Sequence, residues 1–318
     1  MMINRKYHFT ILVLFILVFV TFIPKANTSA LNIITTKLLF EMTGSPKKGF
    51  DQPTSVALGN NGDIYVMDGV NNRVVRYDNN GKYINEFGSI GTNEGQFMFP
   101  IGIRTDDEGQ VYIADSKNGR IQVFTPEGKF KKVIALAKTK DGFLSDPTDI
   151  AIDDDRNRCY IIDNDNHRVL IYSKKGKYIG KFGEMGFLMA DFFRYPYRVD
   201  IDSKGNYYVL EVINTRVQVF DDSSNFKLTL AEWGLDRGQF FRPQGLCIDN
   251  EDRVFISDNY TGVIQVLSTE NAFIGAIGTE SGEVLKLDTP SGMYVDENNR
   301  LYVVQMLKHT VSVYQLQW

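Results

Sequence analysis

Along most of the chain, apolar and polar residues alternate with period two, in short runs that Gly, Asn and Asp interrupt. SVAL leads to a turn at NNGD, IYVMD to a turn at GVNN, RVVRY to one at DNNGK, and YINEFG completes the set. Four short segments rich in β-branched and aromatic residues, parted by turn formers, predict an antiparallel meander of four strands. Helical spacing is absent, so no amphipathic helix competes with this reading.

The set recurs. Prolines stand at Pro53, Pro100, Pro147, Pro196, Pro243 and Pro290, separated by 47, 47, 49, 47 and 47 residues. Three positions before each is a bulky apolar residue: Phe50, Phe97, Leu144, Phe193, Phe240 and Leu287. Fifteen or sixteen positions after each comes Asp68, Asp115, Asp163, Glu211 or Asp258, with Gln305 in the last copy. Five further on stand Arg73, Arg120, Arg168 and Arg216, then Val263 and Thr310. A single such sheet cannot bury both of its faces, so the copies must pack face to face around an axis. The expected fold is all-β, a six-bladed β-propeller of four-stranded antiparallel blades. The bulky residues before the prolines should fill the wedges between blades.

The sixth copy stops after its third strand, VSVYQLQW, and lacks a fourth. Upstream of the first proline, KLLFEMTG from Lys37 to Gly44 matches KYINEFGS from Lys82 to Ser89 in position and character. This N-terminal strand is therefore expected to complete the last blade and cover its open edge. The propeller then occupies residues 31–318.

Residues 1–30 read as an address. Arg5 and Lys6 precede an apolar or small run from Phe9 to Ile23, then Pro24 and a polar stretch ending at Ala30. That order is a secretory signal peptide. At 1.5 Å per residue the run spans only about 22 Å, short of the hydrocarbon layer of roughly 30 Å. The alternative is a short uncleaved membrane anchor, and then the leader is the chain's sole membrane contact. Either way the body is expected to be secreted or extracytoplasmic. Cys159 and Cys247 fall within apolar strand patterns and are expected to be buried free thiols.

Composition narrows the partners. A chain that is 43% hydrophobic and 23% charged is too apolar for disorder, and its net charge of −4 becomes −7 without the leader. A mildly acidic body lacks the basic stripe that a phosphate-backbone binder needs, so nucleic acid is not expected. No C-x-x-C pair, P-loop or G-x-S-x-G elbow is present.

YVMDGVNNRVVRYD, YIADSKNGRIQVF and YIIDNDNHRVLIY, with FGSIGTNEGQFMFP between the first two blades, resemble the NHL repeat family. The resemblance covers about 31–318 and implies the same propeller. Some relatives of this fold are lyases, including peptide α-hydroxyglycine lyases that hold zinc with three His and streptogramin lyases that use His with magnesium. This chain departs from both. Beyond His8 it has only His167 and His309, each four residues after the repeat's acid position and on opposite blades. At a strand step of about 4.8 Å they should lie roughly 20 Å apart, and metal ligands must approach one ion within about 2.0–2.2 Å. Both read as surface side chains. No metal and no cofactor is expected.

The acid and the Arg five residues later recur on successive blades, which marks them as scaffold: the acid should accept turn N–H groups and pair with the guanidinium. The clusters Asp106-Asp107-Glu108 and Asp153-Asp154-Asp155 read as solvated turns, lacking the Gly and terminal Glu of a calcium loop. On the innermost strands, the parity containing Ser55, Ala57, Gly102, Arg104, Asp149, Ala151, Arg198, Asp200, Gly245, Cys247, Gly292 and Tyr294 is expected to look into a central channel. Arg104, Asp149, Arg198, Asp200 and Tyr294 are its candidate ligand-binding residues, suited to a small anionic or zwitterionic ligand, or to pairing with one another. At the same end, Phe99, Arg194, Tyr195, Tyr197 and Arg242 are candidate rim contacts. The expected function is a binding or scaffold module for a protein, peptide or glycan through the linker face. The alternative is a lyase or hydrolase acting in the channel with Arg198, Arg104 and Asp149. The balance leans away from an enzyme, and no catalytic residue is assigned.

Overall fold

The computed structural model describes residues 32–187 and 189–318; the leader read from residues 1–30 lies outside them. Each of the six prolines opens a strand: Pro53–Leu58, Pro100–Thr105, Pro147–Asp153, Pro196–Ile201, Pro243–Ile248 and Pro290–Val295. In the first unit, Ile64–Asp68, Arg73–Tyr77 and Tyr83–Phe87 follow, antiparallel and hydrogen-bonded in sequence order. Among the described residues, four such four-stranded sheets stand separately, and an eight-stranded sheet joins two further four-stranded halves.

The strand that joins those halves is Ile33–Met42. It runs antiparallel to Thr310–Gln317, with Thr35 opposite Gln317 and Met42 opposite Val311. Its first residues also run parallel to Phe273–Gly278, Ile33 lying opposite Ala276. The closing strand expected from Lys37 onward is thus present and starts earlier. Ile34 supplies the reason, because it is buried in the apolar layer between the fifth and sixth units.

The repeat markers meet across the strands. Each proline pairs with the acid that follows it, from Pro53 opposite Asp68 to Pro243 opposite Asp258, and Pro290 faces Gln305. Each acid in turn faces the residue five positions on, as in Asp68 and Arg73. Linkers and second turns therefore share one end of the sheets, and first turns lie at the other. The proline-led strands neighbour one another in sequence order, and Pro290–Val295 lies against Pro53–Leu58, so they close on themselves.

Apolar layers fill the space between neighbouring sheets. Val56 and Val66 pack with Tyr302 and Val304 of the sixth unit, whereas Ala57 and Met67 pack with Ile103 and Ile113 of the second. Phe50, Phe97, Phe193, Phe240 and Leu287 are buried in these layers as expected. Leu144 is not. It is 57% exposed, and Ser145 turns inward in its place, its hydroxyl within donating reach of either Asp163 Oδ2 at 3.0 Å or the Ala137 carbonyl at 3.1 Å. A hydroxyl that can donate to the buried Asp163 carboxylate has displaced the apolar side chain from the wedge.

Candidate functional site: the hub and the two ends of the sheets

The sheets stand edge-on to the hub, so both parities of the inner strands face neighbouring sheets. Ala57, Ala151 and Cys247, expected to look into a channel, pack instead in the apolar layers. The glycines are small for a related reason. A Cβ on Gly102 would lie 2.8 Å from the Thr148 carbonyl, and one on Gly292 would lie 2.7 Å from the Thr54 carbonyl. Only Gly allows adjacent inner strands so close. Side chains then bridge them: Thr54 Oγ1 donates to the Ile101 carbonyl at 2.8 Å and Thr148 Oγ1 to the Tyr197 carbonyl at 3.0 Å. Asp149 Oδ2 accepts the Val199 N–H and Asp200 Oδ2 the Ile248 N–H.

The five candidate hub residues divide into two levels. Nearer the linkers, the buried Arg198 guanidinium donates to the Thr54 carbonyl at 2.8 Å and to Ser291 Oγ at 3.2 Å, and its Nε reaches the Gln244 carbonyl at 3.4 Å. Its Nη1 stands 3.7 Å from Asp149 Oδ1. One side chain thereby touches inner strands of the first, third, fifth and sixth units and stoppers that end of the hub. Two residues further along their strands, Arg104 Nη2 lies 3.6 Å from Asp200 Oδ2. Burial opposes the Arg104 charge, yet Asp200 and Asp149 outweigh it and raise its pKa. Burial pushes the Asp200 carboxyl up against the pull of Arg104, and it likewise raises the Tyr294 hydroxyl and the Cys247 thiol. Arg104, Asp200 and Tyr294 lie at the first-turn end, not beside the linkers, because they sit four residues past their prolines. There they line a cavity of about 510 Å³.

The linker end is chemically different. Phe99 and Tyr195 are exposed there, as expected, and both hold left-handed backbone conformations, with φ of +49° and +53°. Arg242 is also exposed, and Arg194 lies over the Phe187 ring at 4.1 Å. Tyr197 does not join the rim: it sits on the inner strand, half-buried, packs against the layer between the fourth and fifth units and lies under the Arg198 guanidinium. Repeat spacing alone did not single out Val70, Ile213, Trp233, Phe241, Tyr260 and Leu307, all exposed in linkers or second turns. The Phe241 ring lies tilted against Tyr260 at 4.4 Å and against Trp233 at 6.2 Å. Val70, Phe99, Pro100, Ile101 and Met306 line a groove of about 330 Å³ shared by the first, second and sixth units.

The repeated polar residues hold this end in place. Asp68 Oδ1 accepts the linker N–H of Asp51, and its Oδ2 takes the Arg73 Nε at 2.8 Å. Asp115, Asp163 and Glu211 do the same with their linkers and arginines. In the sixth unit, where acid and Arg are both lost, Gln305 Oε1 still accepts the Asp288 N–H at 2.9 Å. His167 is buried rather than on the surface, and its Nδ1 accepts the Tyr195 N–H at 3.1 Å. His309, more exposed, accepts the Gln52 N–H at 3.0 Å. Both imidazoles are linker clamps. Lys174 Nζ lies 3.2 Å from Asp106 and 3.1 Å from Asp107 and also bonds Asp154, so these turn acids are ion-paired more than simply solvated. Among the described residues no group of three or more His, Cys, Asp or Glu is placed to hold a metal ion.

The family assignment rests on the same linker-to-linker stretches, from a buried Phe to the third strand: residues 50–77 and 97–124 match the NHL repeat. The chain carries NHL repeats at these two positions. The chain is 28% identical over 137 residues to protein brain tumor of Drosophila melanogaster, which is 42% of this chain and 13% of that protein. It is 27% identical over 131 residues to human E3 ubiquitin-protein ligase NHLRC1, 41% of this chain and 31% of that one. The NHL-repeat chain thus spans less than a third of either relative. Among solved structures it is similar to a streptogramin B lyase (TM-score 0.60, 14% identity, 86% of this chain and 81% of the other). It is also similar to XC5397, a gluconolactonase from Xanthomonas campestris (TM-score 0.65, 15% identity, 91% and 96%). At such identity these structures speak to the propeller-like, all-β fold of the NHL-repeat chain.

Proposed function

We propose that the chain is a six-bladed propeller, closed by its N-terminal strand, that acts outside the cytoplasm as a binding or scaffold module. It engages a protein or peptide through its linker end. The observation that carries this reading is the exposed set Phe99, Tyr195, Trp233, Phe241 and Tyr260 on one end of the sheets. Large aromatic side chains left in water beside Arg194 and Arg242 are the composition of interface anchors. The names of its relatives include a ubiquitin ligase, an activity that acts on proteins. The extracytoplasmic placement rests on the order of residues 1–30. Channel catalysis has less support, because Arg198, Arg104 and Asp149 are engaged with one another and with the inner strands.

The test is a screen of the full chain against a peptide library and a glycan array, in parallel with a Phe99→Ser/Phe241→Ser/Tyr260→Ser variant. Peptide hits retained by the parent chain and lost by the variant are expected. Hits confined to glycans, or peptide binding that survives in the variant, would overturn the reading.

A further inference from the structure

The first unit adds a second carboxylate to its repeated acid and arginine. Arg73 gives its Nε to Asp68 and its Nη1 to Glu86 Oε2 at 2.8 Å, and Glu86 stands thirteen residues on, on the outermost strand of that sheet. The third unit keeps the pair and reverses the addition. Arg168 gives its Nε to Asp163 Oδ2 at 2.7 Å and its Nη2 to the Ala137 carbonyl at 2.8 Å, but the residue thirteen on is Lys181. The two positions are equivalent in register: Glu86 faces Val75 and Lys181 faces Leu170, each two residues past its arginine. Uncharged Val133 and Thr229 hold the same place in the second and fourth units. Among the described residues no acceptor meets Arg168 Nη1, and the side chain, more than nine-tenths buried, offers its remaining surface to a groove of about 460 Å³.

That groove lies between the outermost strand, Tyr178–Phe182, and the linker that enters the third unit. Both walls are fixed. The Tyr172 hydroxyl accepts the Ala137 N–H at 2.7 Å, and the Tyr172 and Tyr178 rings meet edge-on at 5.4 Å. The Thr139 N–H donates to the Phe143 carbonyl and sets Lys140 in a tight turn. Lys138, Lys140 and Lys181 are exposed along the groove, and none of them is ion-paired among the described residues. Glu184 is the one acid among the lining residues. In a body of net charge −7, this groove is a local reversal of sign, and it attracts carboxylates. A buried guanidinium with one face unserved calls for the same group. Tyr178 and Met185 supply apolar surface beside the cations. A flat bilayer cannot enter such a groove, and a sulfated glycan has no apolar side chain to lay on those two residues.

We propose that this groove binds an acidic peptide segment of a partner protein, one carboxylate taking on Arg168 the place that Glu86 takes on Arg73, and an apolar side chain resting on Tyr178 and Met185. It is a second surface, sharing no residue with the aromatic set of the linker reading. Fluorescence anisotropy of the full chain with a dye-labelled hexapeptide, Glu-Glu-Leu-Glu-Glu-Leu, tests it. The hexapeptide binds saturably, and its counterpart with Gln in place of every Glu binds about tenfold more weakly. Lys181→Glu copies the first unit and serves Arg168 from within the chain, so it weakens the hexapeptide about tenfold while the melting temperature stays level or rises. Lys138→Gln/Lys140→Gln, at exposed positions, weakens it to a similar degree. The Phe99→Ser/Phe241→Ser/Tyr260→Ser variant still binds the hexapeptide. Because it does, the peptide screen for the linker end is read in the Lys181→Glu background, where this groove is closed and the two readings fail separately. The proposal is overturned if the hexapeptide does not saturate, if the Gln counterpart binds as tightly, if both lysine variants bind like the parent, or if the aromatic variant loses binding. Heparin fragments or phosphatidylglycerol vesicles that bind the parent chain more tightly than the hexapeptide, and are lost in Lys181→Glu, overturn it in favour of a glycan or a lipid surface.

Discussion

His167 Nδ1 accepts the backbone N–H of Tyr195 at 3.1 Å, across the boundary between the third and fourth units. One repeat position elsewhere does the same job with different chemistry: Asn72 Oδ1 accepts the Phe99 N–H at 2.8 Å. In each case the acceptor and the residue it holds both have positive φ, a strained state for side-chain-bearing residues that the bond helps to fix. Amide oxygen and imidazole nitrogen are interchangeable here because the linker needs only one acceptor.

An imidazole that accepts at Nδ1 must be neutral, and burial, the largest influence, lowers the His167 pKa below its ordinary value. The unfolded chain therefore takes up a proton near pH 6.5 while the folded chain does not. The stability contributed by His167 is complete above that pH and falls as pH drops from about 6.5 toward the depressed folded value. Thermal melts should show this extra acid sensitivity in the parent chain. A His167→Asn variant, which supplies the acceptor without titrating, should lose it; an identical pH profile in that variant refutes the clamp.

Arg120→Ala leaves Asp115, which is fully buried, without its cation. The expected loss is about 3–5 kcal/mol in denaturant titrations. The double change Asp115→Gln/Arg120→Thr copies the neutral pair Gln305 and Thr310, which still holds its linker. It should be less damaging than the single change. A double variant as unstable as Arg120→Ala would show that the charge itself, not the acceptor, is what the linker requires.

Phe97 and Phe99 are two residues apart with opposite fates. Phe97 is buried against Gly88, where a Cβ would lie 2.3 Å from its ring, whereas Phe99 is 55% exposed. Phe97→Ala should cost about 3–5 kcal/mol, and Phe99→Ala should stay within about 0.5 kcal/mol of the parent. Comparable losses for both would contradict this assignment of core and surface.

Deleting residues 33–42 removes the partner of Thr310–Gln317 and the bridge to Phe273–Gly278 together. Calorimetry should then show the single unfolding transition broadened or split, with the midpoint lowered for the ring as a whole. A sharp transition at the parent temperature would mean that the strand is an ornament of one edge.

Both thiols should be inert in the native protein. Cys159 and Cys247 are buried, and burial, as the main cause, pushes the Cys159 thiol up to about 12. A colorimetric thiol reagent should find no reactive cysteine until denaturant is added; rapid labelling of the native chain would be inconsistent with this packing.

The sequence by itself determined the period, the starts of the proline-led strands and the pairing of ends. Those follow from local alternation, from turn formers and from residues such as Pro53 and Asp68, whose fifteen-residue spacing is the length of one hairpin arm and return. It also determined that acid and Arg belong to the scaffold. Only the tertiary structure decided where side chains face near the axis. Ala57, Cys247 and Tyr197 follow the alternation faithfully, but sheets standing edge-on to a hub have neighbours on both faces, and a period of two cannot say which face meets solvent. The same holds for His167 and for the cavity at Arg104. Their surroundings come from different units, close together only because the ring shuts, and no local pattern records a contact of that range.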